Sequence, residues 1–127
     1  MKIATTKDQV LNAVVLAERV AGKKETLPVL SCILIESHKE ITLKATNLEA
    51  GIEIRVAGEV IEQGTLAVPA AVFSQTIRSI SGDKVTLKAE EGNLLIESRG
   101  TKTLIKAIPH TEFPVLPTPA QRDGVAV

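Results

Sequence analysis

The sequence contains no tryptophan and no tyrosine, and its only aromatic residues in 127 positions are Phe73 and Phe113. An interior built from it is aliphatic, and the stacking platforms on which single-stranded nucleic acid is usually held are missing. A lone cysteine, Cys32, excludes an intramolecular disulfide. Its place in the apolar run from Val29 to Ile35 marks it as a small buried hydrophobe, since a reactive thiolate needs an electropositive and partly exposed setting. Net charge is absent as well: 15 basic residues balance 15 acidic ones, so the bulk signature of a protein that grips phosphates unaided is lacking. No segment approaches the roughly 20 apolar residues needed to cross a bilayer, and the opening Met1-Lys2-Ile3-Ala4-Thr5-Thr6 lacks the apolar stretch of a secretory signal. The expected location is the cytoplasm, with no membrane partner.

Residues suited to chemistry are as sparse. His38 and His110 stand far apart, each in a turn or loop where an exposed imidazole is ordinary. No Cys and His spacing suits zinc, and no acidic cluster has the pattern of a calcium loop, so neither a metal nor a cofactor is expected. Glu90-Glu91 adjoins the turn residues Gly92-Asn93 and reads as two solvated charges, not as an acid and base pair. The glycines are scattered among turns, with no phosphate-cradling run ahead of a helix, and Ser74 has no histidine near it in sequence. With no catalytic residue to name, the chain is expected to be non-enzymatic.

What the sequence does contain is periodicity. Between Thr6 and Ala21 the residues Val10, Ala13, Val14, Ala17, Val20 and Ala21 fall on one stripe at helical spacing, with Asp8, Gln9, Asn12, Leu16 and Arg19 on the opposite arc. Thr5 or Thr6 caps the first turn, Asp8 complements the helix dipole, and Gly22 is placed to end the helix. The period then changes to two. Val29 to Glu36 is a strand, Ile41, Leu43 and Ala45 alternate with polar residues in a second, and Ile52, Ile54 and Val56 in a third that Gly58 interrupts.

The pattern recurs. Thr65 to Val68 predicts a short strand, and Pro69 opens a helix running to about Ile80 with Phe73, Thr76, Ile77 and Ile80 on its dry stripe and Ser74, Gln75, Arg78 and Ser79 on its wet side. Strands follow over Val85 to Ala89, Leu94 to Ser98 and Thr103 to Ile108, separated by turns at Glu91-Gly92-Asn93 and Arg99-Gly100-Thr101. Each half thus reads strand, helix, three strands, and the fold class is α+β: two helices packed on mostly antiparallel sheet. One domain is expected over residues 1–117. Three of the six prolines lie between Phe113 and Pro119, the composition of a linker, and Gly124-Val125-Ala126-Val127 has the look of a new strand. Residues 118–127 are therefore assigned to a linker and the cut-short start of a following domain.

On the polar arcs, and in the turn after the first helix, stand Arg19, Lys23, Lys24 and Arg78. They form either an ordinary solvated surface or a local patch for phosphates, and composition alone favours the former.

Four landmarks bear on that choice: Thr26-Leu27-Pro28-Val29-Leu30, Ala45-Thr46-Asn47-Leu48-Glu49, Val68-Pro69-Ala70, and Ile108-Pro109 with Glu112-Phe113-Pro114. In their order and spacing they resemble the N-terminal domain of the beta subunit of bacterial DNA polymerase III, the replicative sliding clamp, over essentially all of the chain. The resemblance implies a processivity factor: a homodimeric ring of two three-domain chains around duplex DNA, walled inside by helices and outside by sheet. Basic residues on the inner helices would meet phosphates without reading bases. The family's basic residue in the turn before Thr-Leu-Pro corresponds to Lys24, with Lys23 beside it, and Arg78 matches a basic position late in the second helix. A further basic position after Val-Pro-Ala is here Ala71 or Val72. The last strand, from Lys102 to Ala107, resembles the edge that pairs with a second clamp subunit. Thr103 replaces an aromatic residue common there, and Ile105 is left to bury apolar area. The groove that recruits DNA polymerase III and the clamp loader belongs to later domains of the family.

A different class of function fits the same residues without DNA: a small interaction module whose exposed final strand adds to a partner's sheet.

Overall fold

A computed structural model of the chain describes residues 1–21, 31–46 and 50–108, together with the backbone of Gln121–Arg122. Its elements are β1 (Lys2–Thr6), α1 (Lys7–Val20), β2 (Cys32–Ser37), β3 (Ile41–Thr46), β4 (Gly51–Val56), β5 (Gly58–Glu62), β6 (Gly64–Pro69), α2 (Ala70–Ser79), β7 (Lys84–Glu90), β8 (Asn93–Ser98), β9 (Thr101–Lys106) and β10 (Gln121–Arg122). The two expected helices are present on antiparallel sheet, but the strands are shared between two five-stranded sheets, ordered β5-β1-β7-β8-β9 and β10-β4-β3-β2-β6. The short parallel pair of β10 with β4 is the exception to the antiparallel rule. Gly22, the turn before Thr26 and the proline-rich segment lie outside the described residues.

Helix α1 obeys its sequence pattern. Val10, Ala13, Val14 and Ala17 are buried, whereas Asp8, Gln9, Asn12, Leu16 and Arg19 are exposed. Thr6 is the N-cap, its Oγ1 accepting the backbone N–H of Gln9 at 3.3 Å, which satisfies one of the donors a helix start leaves without a partner. Helix α2 buries Phe73 and Ile77 as expected, and it also buries Ser74, which the sequence places on the wet side. The reason is packing. α2 touches α1, β6 and β9 at once, so its covered arc is wider than a single apolar stripe and takes in Ala70 and Ser74 along with Phe73 and Ile77. Each large aliphatic or aromatic side chain buried in this core contributes about 1.5–3 kcal/mol.

The interruption expected at Gly58 is instead a crossing. The chain leaves β4, which pairs with β3, and at once forms β5, which pairs with β1 in the other sheet. A Cβ at Gly58 would sit 2.7 Å from the carbonyl oxygen of Ala4, so the close approach of these strands requires glycine. β5 is an edge strand and mostly exposed, which is why its sequence carries no apolar alternation to announce it.

Setting β5 and β10 aside, the halves β1-α1-β2-β3-β4 and β6-α2-β7-β8-β9 follow one plan and exchange their leading strands. β1 pairs with β7 of the second half, and β6 pairs with β2 of the first. Neither half completes its sheet alone, and one aliphatic core, with Phe73 its aromatic member, spans both. The backbone N–H of Ile108 donates to the carbonyl of Ala67 at 2.9 Å, bridging the two sheets beyond β9.

Two hairpins close on two-residue loops, with Glu90 opposite Asn93 and Ser98 opposite Thr101. Glu91, Gly92, Arg99 and Gly100 have φ of 49°, 78°, 46° and 80°, the conformation whose twist matches that of the flanking strands.

Candidate nucleic-acid interface

The helices form a pair. Lys7, the first residue of α1, donates from Nζ to the carbonyl oxygens of Ile80 at 2.6 Å and Arg78 at 3.3 Å, so the amino end of α1 lies against the carboxyl end of α2. Toward the other end of α1, Glu18 meets the guanidinium of Arg78 at 3.8 Å. The faces turned from the sheets carry Gln9, Asn12, Leu16 and Arg19 from α1, and Val72, Gln75, Arg78 and Ser79 from α2.

This surface is only weakly positive. Lys7, Arg19 and Arg78 stand against Asp8 and Glu18. Lys7 is occupied by α2 carbonyls and Arg78 by Glu18, leaving Arg19 as the helical cation without an ion pair among the described residues. In this pair Arg78 is exposed and Glu18 half-buried, and at 3.8 Å it contributes a few tenths of a kcal/mol, so a phosphate can compete for Arg78. Of the four sequence-proposed contacts, Arg19 and Arg78 thus share one helical layer; Lys23 and Lys24 lie outside the described residues.

The candidate subunit edge is β9, which pairs with β8 and has no described strand on its other side. Lys102 is exposed and Thr103 half-buried, but Ile105 points inward, 4% exposed in the domain's own core. Strand alternation sends Leu104 outward instead, at 58% exposure, so the apolar side chain available to a partner is Leu104 and not Ile105.

Among the described residues no three His, Cys, Asp or Glu side chains converge as a metal site. Cys32 is buried, and that burial pushes its thiol up to about 11, which makes it inert as a nucleophile at neutral pH. His38 sits exposed in the β2–β3 turn, and among the described residues no helix is long and apolar enough to cross a membrane.

Residues 1–117 match the family described as the N-terminal domain of the DNA polymerase III beta subunit. The chain belongs to that family. Among curated relatives of this beta-subunit domain, the beta sliding clamp of Chlamydia muridarum is 26% identical over 119 residues, covering 92% of this chain and 32% of the relative. That of Pseudomonas putida is 27% identical, covering 91% and 32%. The chain therefore spans about a third of the length of the relatives it matches. Among solved structures, the DNA polymerase III beta subunit of Thermotoga maritima superposes with a TM-score of 0.86 at 25% identity over 91% of this chain and 32% of that one. The beta subunit of Pseudomonas aeruginosa superposes at 0.84 and 28% over 92% and 32%. Within this beta-subunit domain, sequence reasoning missed Lys7 and Leu104. Lys7 carries no local signal, because the carbonyls it serves lie 71 and 73 residues away. Leu104 could have been found from its alternation with Ile105.

Proposed function

We propose that this domain is one sector of a sliding clamp, a ring of two chains that encircles duplex DNA and keeps the replicative polymerase on its template. The observation that carries the reading is the paired α1–α2 layer, with Arg19 and Arg78 on its exposed side, in a chain that belongs to the beta-subunit family. Charge-dependent contacts from these helices, and from Lys23 and Lys24, hold phosphates without reading sequence, so the ring slides. Closure of the ring rather than affinity retains it, which is compatible with a neutral chain. The domain does no covalent chemistry and uses no cofactor. Its β9 edge, with Lys102, Thr103 and the outward Leu104, meets the second subunit. DNA polymerase III and the clamp loader engage other domains of the full-length protein, which works in the cytoplasm.

The test is retention on DNA. Full-length protein loaded on a nicked circle is expected to stay bound through a salt wash and to be lost when the circle is linearised. Lys24→Ala should weaken loading with little change in melting temperature. Equal retention on circular and linear DNA would remove the topological reading.

A further inference from the structure

On the outer face of the β5-β1-β7-β8-β9 sheet lies a groove of about 270 Å3 whose lining includes Lys84, Thr86, Glu97, Arg99, Gly100 and Lys102. Strand alternation puts these side chains together. Val85 and Leu87 are buried beneath β7, so Lys84 and Thr86 point outward, and the register carries the row onward from Thr86 to Glu97 and from Glu97 to Lys102. Three cations surround one carboxylate, leaving two positive charges in excess in a chain whose total is zero. Among the described residues neither the three cations nor Glu97 has an ion-pair partner.

The groove is also held in shape. Ser98 Oγ donates to the carbonyl oxygen of Lys84 at 2.7 Å, tying the β8–β9 turn to β7. The loop before β7 is packed so closely that a Cβ on Gly82 would lie 2.6 Å from the same Ser98 oxygen. Arg99 stands in the tight turn at φ 46°, beside Gly100. The helical layer, by contrast, has two of its three cations engaged within the domain. Unengaged charge on a braced scaffold is what an anion site needs.

We propose that this groove binds phosphate groups, with the Arg99 guanidinium and the Lys84 ammonium as the donors, Glu97 as a carboxylate that limits affinity, and Lys102 at the rim shared with the proposed subunit edge. Two sources supply such groups: the backbone of DNA lying against the outside of the ring, apart from the duplex that the helices face, or free phosphate compounds. Neither source needs the helical contact proposed above.

The experiment uses the full-length protein, a double variant Lys84→Gln/Arg99→Gly and a single variant Glu97→Gln. Lys102 is left intact because it also stands on the β9 edge, and glycine suits the backbone at Arg99. Inorganic pyrophosphate is titrated by calorimetry, and fluorescent duplex DNA by anisotropy across a salt series. Pyrophosphate binding is expected to weaken about tenfold in the double variant and to tighten severalfold in Glu97→Gln. A DNA salt slope reduced by about one per cation removed identifies the backbone as the source. An unchanged DNA slope with lost pyrophosphate binding supports the site and assigns it to free phosphate compounds. Absence of pyrophosphate binding in both the native protein and Glu97→Gln overturns the proposal. Lys24→Ala measured in parallel keeps the readings apart, since unchanged DNA binding there counts against the helical contact and not against the groove.

Discussion

The ammonium of Lys7, at the start of α1, donates at 2.6 Å to the carbonyl oxygen of Ile80, the residue that caps the end of α2. A helix end leaves carbonyls without partners and carries partial negative charge, and here a cation from the neighbouring helix answers both. The backbone N–H of Lys7 also donates to the carbonyl of Asp83 at 2.7 Å, so one residue joins the start of α1 to the segment that follows α2.

Replacing Lys7 by methionine keeps the stem but leaves those carbonyls without the charged donor. Lys7→Met is expected to lower stability by about 1 kcal/mol in urea denaturation, with Lys7→Arg retaining part of it. Identical midpoints for all three proteins would mean that the bond contributes nothing.

At the crossing between sheets, a Cβ on Gly58 would meet the Ala4 carbonyl oxygen at 2.7 Å and Ile41 Cδ1 at 2.8 Å. Gly58→Ala is expected to cost about 2–4 kcal/mol, because backbone and a buried side chain would both have to move. Gly92 differs: its φ is 78° and nothing lies within 4 Å of a built Cβ. Gly92→Asn, which tolerates that backbone, should cost under about 1 kcal/mol. Thermal melts of the two variants check the ordering.

The Cys32 thiol, 2% exposed, is raised from 9.0 to about 11 because burial disfavours the thiolate. A group whose folded value is raised stabilises the fold fully below its unfolded value and loses that contribution as pH climbs through the folded one. Stability is therefore expected to fall by roughly 2–3 kcal/mol between pH 9 and pH 11 from this group, and Cys32→Ala should flatten that part of the profile. Parallel alkaline profiles for the two proteins would contradict the assignment.

Glu18 and Arg78 allow a signed test of the helical DNA contact. Arg78→Gln is expected to reduce duplex affinity of the full-length protein and its salt slope by about one. Glu18→Gln, which frees Arg78 at 3.8 Å, should raise affinity severalfold. A fall in affinity for Glu18→Gln would show that the pair positions Arg78 and does not compete for it.

Much of the fold was legible along the chain because it depends on near neighbours. The stripe from Val10 to Ala17 and the two glycine hairpins each need only a few consecutive residues and stand as read, while of the two caps offered, Thr5 and Thr6, the structure takes Thr6. Ser74 and Ile105 were misread for one reason: burial depends on what packs overhead. For Ser74 that is the elements gathered around α2, and for Ile105 the phase in which β9 meets the core. Of the site, the sequence offered Arg19 and Arg78 but not their unequal availability, since Glu18 reaches Arg78 across an interhelical contact.

Local periodicity and turn chemistry were enough to determine the elements and their order, since those free energies are set within a few residues. The exchange of β1 and β6 between halves, the division into two sheets, the Lys7 clasp and the basic groove at Arg99 were decided only by tertiary structure. Each joins residues distant in the chain, brought together because neither half can cover its apolar faces until the other is in place.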